Sequence, residues 1–80
     1  MNIDVQLEDL YIGYRFTLKA ILKNGTITDV PNQYIRWETK GSIKVENGIV
    51  TALGQKGDVV IATVISKTGR IVGKDEIYIG

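Results

Sequence analysis

Neither cysteine nor histidine occurs in these 80 residues, and proline occurs once, at Pro31. Without cysteine there is no disulfide framework and no thiolate metal site. Without histidine, every Ser-His, Cys-His and His-metal constellation is excluded. Charge of one sign is lacking too: ten basic and nine acidic residues leave a formal charge of +1. Lysine alternates with aspartate and glutamate along the chain, so no basic face is set aside for phosphate, and no nucleic-acid partner is predicted. The longest apolar run, Val59 to Ile65, is far short of the ~20 residues a membrane helix needs, which predicts no membrane insertion. A charged start followed by an apolar segment and a small-residue cleavage site is also missing, so no secretory signal is read here.

What is present is apolar alternation of period two. Ile3, Val5 and Leu7 alternate with Asp4 and Gln6 and predict a first strand. Phe16, Leu18, Ala20 and Leu22 form a second, ended by Asn24-Gly25. Ile35 and Trp37 flank Arg36 in a third, Ile43 and Val45 mark a fourth, and Ile49 to Leu53 a fifth. Val59 to Ile65 is a sixth and Val72 to Ile79 a seventh. No window holds an i, i+3, i+4, i+7 stripe, so no helix longer than about a turn is expected. The prediction is one all-β domain over residues 1–80, a sandwich of about seven short antiparallel strands in two sheets. Trp37 is the expected keystone of its core, with Phe16, Leu18, Val50, Ile61 and Ile77 around it.

The glycines carry turn chemistry. Asn47-Gly48 between apolar strands predicts a two-residue type I′ hairpin, because both central positions need positive φ. Gly54-Gln55-Lys56-Gly57 spells GxxG, but a nucleic-acid clamp of that kind joins two helices, and here the segment joins two strand patterns. A phosphate-binding P-loop fails as well, since no Gly-Lys-Ser/Thr and no helix follow. Lys56-Gly57-Asp58 matches a tripeptide found in some integrin ligands, a match too short to carry weight.

For catalysis there remain nine carboxylates, seven lysines and four tyrosines. Asp75-Glu76 and Glu8-Asp9 are adjacent pairs, and neighbours on a strand point to opposite faces, away from a common substrate atom. Oxygen ligands for calcium could come from a loop such as 29–33, yet no EF-hand spacing exists. The chain is read as non-catalytic, with no cofactor and no metal.

From Gly13 the sequence runs Gly-x-x-Phe-x-Leu-x-Ala-x-Leu, and later come Trp37, Val45, Gly48, Val50-Thr51-Ala52, Gly57, Val59 and Ile61. In this order and spacing the chain resembles the bacterial immunoglobulin-like domain, group 2, over about residues 3–79. Two departures shorten loops: Val45 and Gly48 are one residue closer than the family pattern has them, and Gly41-Ser42 stands where a Ser-Asn-Pro run is usual. The resemblance implies an immunoglobulin-like sandwich in which tryptophan packing replaces the inter-sheet disulfide. It further implies a structural or adhesive module of a bacterial surface protein or a phage virion protein. The absent signal and the initial Met1 favour the virion setting. An alternative function is carbohydrate binding, with Tyr11, Tyr14, Tyr34 and Tyr78 as stacking faces for a cell-surface glycan.

The sixth strand is apolar on both faces, against the norm for a solvated antiparallel sheet. With Val59, Ile61 and Thr63 pointing inward, Val60, Ala62 and Val64 would line the outer face. Either long neighbours such as Arg36, Lys67 and Tyr78 cover that face, or it docks a protein partner or neighbouring domain. On the second reading Val60, Ala62, Val64 and Tyr78 are the candidate partner-binding residues.

Overall fold

A computed structural model describes residues 2–80, and the chain is mostly β. Among the described residues eight strands occur in the order β1 (Asn2–Val5), β2 (Lys19–Ile21), β3 (Ile27–Asp29), β4 (Ile35–Lys40), β5 (Lys44–Glu46), β6 (Ile49–Ala52), β7 (Val59–Ile65) and β8 (Ile71–Ile79). The helical content is two single 3-10 turns, Leu7–Asp9 and Asn32–Tyr34. The strands form a four-stranded sheet in the order β1-β8-β7-β4 and two ribbons, β2-β3 and β5-β6.

The strands fall into three sheet pieces, not the two expected, and three further features differ from the expectation of seven antiparallel strands. β1 lies parallel to β8, with Asn2 opposite Glu76 and Val5 opposite Ile79. Leu7 leaves this strand for the first 3-10 turn, held by Leu7 N–H donating to Gly80 O at 2.8 Å. The eighth strand, β3, arises because Asn24-Gly25 reverses the chain instead of merely ending a strand. Leu22 N–H donates to Thr26 O, Thr26 N–H donates to Asn24 Oδ1, and Gly25 takes φ +85°. Such a turn needs a left-handed residue that only glycine adopts without strain. The expected long second strand is regular only over β2; upstream it touches β6 through a single bridge, Arg15 to Ile49.

Asn47-Gly48 forms the β5-β6 turn with φ +52° and +81°, the signs a type I′ turn demands. The turn also has a packing role. A Cβ on Gly48 would stand 3.1 Å from Phe16 O and 3.2 Å from both Asn32 Oδ1 and Trp37 Cζ2. Glycine therefore lets the Trp37 ring lie flush on the hairpin.

The core cluster contains Leu10, Phe16, Ile43, Val50, Val60, Ile77 and Ile79, with Ile43, Val50, Val60 and Ile79 the largest fully buried side chains. It joins the inner face of the four-stranded sheet to the β5-β6 ribbon and to the segment before β2. Leu18 is buried as well. Trp37 is half-buried and packs against the cluster from its rim, its ring centroid 6.1 Å from that of Phe16. Its indole N–H donates to Asn32 Oδ1 at 3.2 Å, which satisfies the one polar atom of the ring.

The phase expected for β7 is reversed. Val60 stands opposite Ile77 and Thr39, and Ala62 opposite Trp37. Directly opposed residues share a sheet face, so Val60 and Ala62 point into the core, where both are fully buried. Ile61, expected inside, stands opposite Glu38 and Glu76 on the other face, and Thr63 opposite Arg36 and Lys74. These two are buried by the neighbouring strands' side chains, not by the core. A strand apolar on both faces has no polar alternation to set its own phase; the residues opposite it on β4 and β8 decide.

Candidate functional site

The loop Gly54–Gly57 leads into a compact set of polar contacts. It closes on Asp58, whose carboxylate oxygen Oδ2 accepts N–H bonds from Ser42 (3.0 Å), Ile43 (3.0 Å) and Gln55 (2.9 Å). Three convergent backbone amides are the usual makings of an anion site. Here the anion is the chain's own side chain. A Cβ at Gly41 would overlap Asp58 Oδ1, and one at Gly54 would overlap Oδ2, so both glycines leave room for the carboxylate. The amide of Gln55, aided by those of Ile43 and Ser42, holds the Asp58 carboxyl below its ordinary pKa against the opposing effect of burial. The arrangement ties the turn after β4 to the loop before β7. It also keeps Asp58, only 8% exposed, from being presented as the end of a Lys-Gly-Asp ligand.

The other chemical candidates do not converge. Asp75 and Glu76 face opposite ways on β8, toward Ala62 and Ile61 respectively. Asp29 forms an ion pair with Lys19 across the β2-β3 ribbon. Among the described residues no group of three or more acidic side chains is placed to hold a metal ion. No helix among them is long and apolar enough to cross a membrane.

The four tyrosines form one touching pair, Tyr11 with Tyr14, and two separate rings. Tyr11 is exposed and meets Tyr14 edge to face at 5.5 Å; Tyr14 in turn packs on Phe16 at 5.0 Å. Tyr34 lies in a shallow depression with Val30, Val64 and Lys67. Tyr78 is on the outer face of the four-stranded sheet, opposite Val59, and donates its hydroxyl to Glu76 Oε2 at 3.0 Å. That hydrogen bond, and the nearby Glu76 charge, raise the Tyr78 pKa. Of the four, only Tyr11 is exposed; Tyr14, Tyr34 and Tyr78 are half-buried.

The four candidate partner-binding residues are likewise divided. Val60 and Ala62 are core, Tyr78 is on the opposite face, and only Val64, half-buried, reaches a surface recess. That recess is a groove of about 220 Å³ between β2 and the first half of β8, lined by Leu18, Ala20, Val30, Val64 and Val72 together with Lys19, Lys74 and Asp75. Ile21, Leu22, Ile27, Ile71 and Val72, five of the eight large apolar side chains left exposed, belong to the strands and turns beside it. Sequence reading missed this region because β3 was invisible to it. The signal available was Ile27-Thr28-Asp29-Val30, a short alternation following an Asn-Gly turn.

No protein-family model, no curated protein and no solved structure matches this chain.

Proposed function

We propose that the chain is a non-catalytic, immunoglobulin-like β-sandwich module. It serves as a structural or adhesive unit of a phage virion protein or a bacterial surface protein. The resemblance in the Phe16–Leu22 and Val45–Ile61 segments supports the family reading. The parallel pairing of β1 with β8 and the core shared between the four-stranded sheet and the β5-β6 ribbon are compatible with it. Fold alone carries no function.

The observation that carries the functional reading is the filled anion cradle. The three converging backbone amides of Ser42, Ile43 and Gln55 are occupied by Asp58, so this chemistry goes into clamping two loops. The uncovered apolar side chains beside β2 and β8 supply the contact surface a docking module needs. A glycan array probed with the domain and with Tyr11→Ala is the test. No signal that depends on Tyr11 is the expected outcome. A Tyr11-dependent glycan signal would replace this reading with sugar recognition.

A further inference from the structure

β4 lies in mid-chain and forms one margin of the four-stranded sheet. β7 pairs with one of its edges, and no strand among the described residues pairs with the other. The register fixes which backbone groups lie on that open edge. Ile79 bonds to Gly57 and Asp58, on the β7 side of β8, whereas Gly80 bonds to Val5 and Leu7, on the β1 side. Backbone groups alternate sides along a strand, so Ile77, Asp75 and Gly73 also turn toward β7, where they meet Val60, Ala62 and Val64. The intervening Ile61 and Thr63, with Val59, then bond β4 through Glu38, Arg36 and Lys40. Ile35, Trp37 and Thr39 are left with their N–H and C=O groups on the open edge. Ile35 N–H agrees with this, since it donates to Asn32 O and not to β7.

The side chains mark the same flank as open. Trp37 and Thr39, on the inner face, stay half-buried, whereas Ala62 and Val60 directly opposite them are fully buried. On the outer face Arg36, Glu38 and Lys40 are exposed, and among the described residues neither Arg36 nor Glu38 is held in an ion pair. A row of one sign would keep a second copy away, but this row alternates. Its order selects one antiparallel register. Centring the pair on Arg36 or on Glu38 sets like charges opposite each other. Centring it on Thr39 runs Trp37 against Gly41, where φ +106° has already ended the strand. Centring it on Trp37 uses the strand fully and sets Arg36 opposite Glu38 on both sides of the axis.

We propose that two copies of the chain pair antiparallel along β4 about a two-fold axis at Trp37, joining their four-stranded sheets into one. Trp37 exchanges both backbone bonds with Trp37 of the second copy, and each Thr39 N–H donates to Ile35 O across the axis. Each Arg36 stands opposite Glu38 of the second copy, a close cross-strand pair that symmetry makes twice. Six residues a side is a small interface, so the pair is weak and forms at high local concentration. The pairing goes beyond the docking reading and does not rest on it.

The test is sedimentation equilibrium of the full chain from micromolar to millimolar concentration, with ¹⁵N amide spectra over the same range. A monomer–dimer equilibrium is expected, with concentration-dependent shifts and slowed hydrogen exchange at the Trp37 and Thr39 amides. Arg36→Glu and Glu38→Arg each set like charges opposite one another twice, and each alone should weaken the dimer about tenfold or more. An equimolar mixture of the two variants restores opposite charges at both pairs and should dimerise about as well as wild type. Lys40→Glu makes the same change of net charge as Arg36→Glu but has no charged partner in this register, and should leave the dimer within about twofold. Thr39→Pro removes an N–H that bonds nothing in the single chain and should abolish the dimer. Arg36 and Glu38 are exposed, so their variants are expected to stay folded and decide the matter should Thr39→Pro not fold. A monomer at every concentration, an unchanged dimer in Arg36→Glu, a mixture no tighter than its components, or shifts confined to another strand would each overturn the proposal. None of these results involves Tyr11, so they leave the glycan test of the docking reading as it stands.

Discussion

Replacing Val60 and Ile61, neighbours on β7, by lysine one at a time should have opposite consequences. Val60 is fully buried among apolar side chains, between Thr39 and Ile77 of the adjoining strands. An ammonium there has no partner, and burying an unpaired ion costs several kcal/mol after relaxation. The longer side chain adds roughly 1–3 kcal/mol of overpacking. An 80-residue domain has a total stability of roughly 4–12 kcal/mol, so Val60→Lys should be unfolded or nearly so at 25 °C. Ile61 is also buried, at 7% exposure against none for Val60, but stands between Glu38 and Glu76. A lysine there keeps its stem on the sheet and brings its charge to two carboxylates, each cross-strand pair returning roughly 0.2–1 kcal/mol. Against a loss of about 1.5–3 kcal/mol from isoleucine burial, the net cost is roughly 1–2 kcal/mol. That lowers Tm by about 5–15 °C in a domain of this size. Circular dichroism melts of the two variants, at low salt and in 1 M NaCl, provide the measurement. High salt should lower the Tm of Ile61→Lys relative to wild type by screening its new pairs. A folded Val60→Lys beside an unfolded Ile61→Lys would refute the phase of β7 and with it the core as described.

Two further outcomes are expected. Asp58 has a folded-state pKa below its ordinary value, so its stabilising effect is complete above the unfolded carboxylate pKa of about 4 and fades as pH falls through the folded value. Melts between neutral and strongly acidic pH should show wild type losing stability on acidification; Asp58→Asn should melt lower at neutral pH and depend less on pH, and parallel profiles would reject the clamp. Gly25 and Gly48 share nearly the same φ, but a Cβ meets nothing within 4 Å at Gly25 and crowds Phe16 O and Trp37 at Gly48. Gly25→Ala should therefore cost about 1 kcal/mol from backbone strain alone, and Gly48→Ala roughly 2–4 kcal/mol with the crowding added; equal losses in urea titrations would show that Trp37 does not press on the hairpin.

Local chemistry was legible in the sequence and long-range pairing was not. Asn47-Gly48 determines its own turn, since the φ preferences of two adjacent residues suffice. Period-two alternation located six of the strands for the same reason: each residue's choice of face depends on its immediate neighbours. The absence of histidine and cysteine removed whole classes of chemistry before any contact was known. The phase of β7 was different. Seven consecutive residues without a charge give either phase equal apolar content, and Glu38 and Glu76, one strand away on each side, settle which face meets water. Asp58 was equally opaque. As part of Lys-Gly-Asp after a glycine loop it reads like a solvated residue, and only the approach of Ser42 and Ile43, sixteen and fifteen residues earlier, turns it into a buried clamp. The groove between β2 and β8 is a tertiary product throughout. Its two sides, β2 and the first half of β8, lie about fifty residues apart in the chain and meet only in the folded molecule.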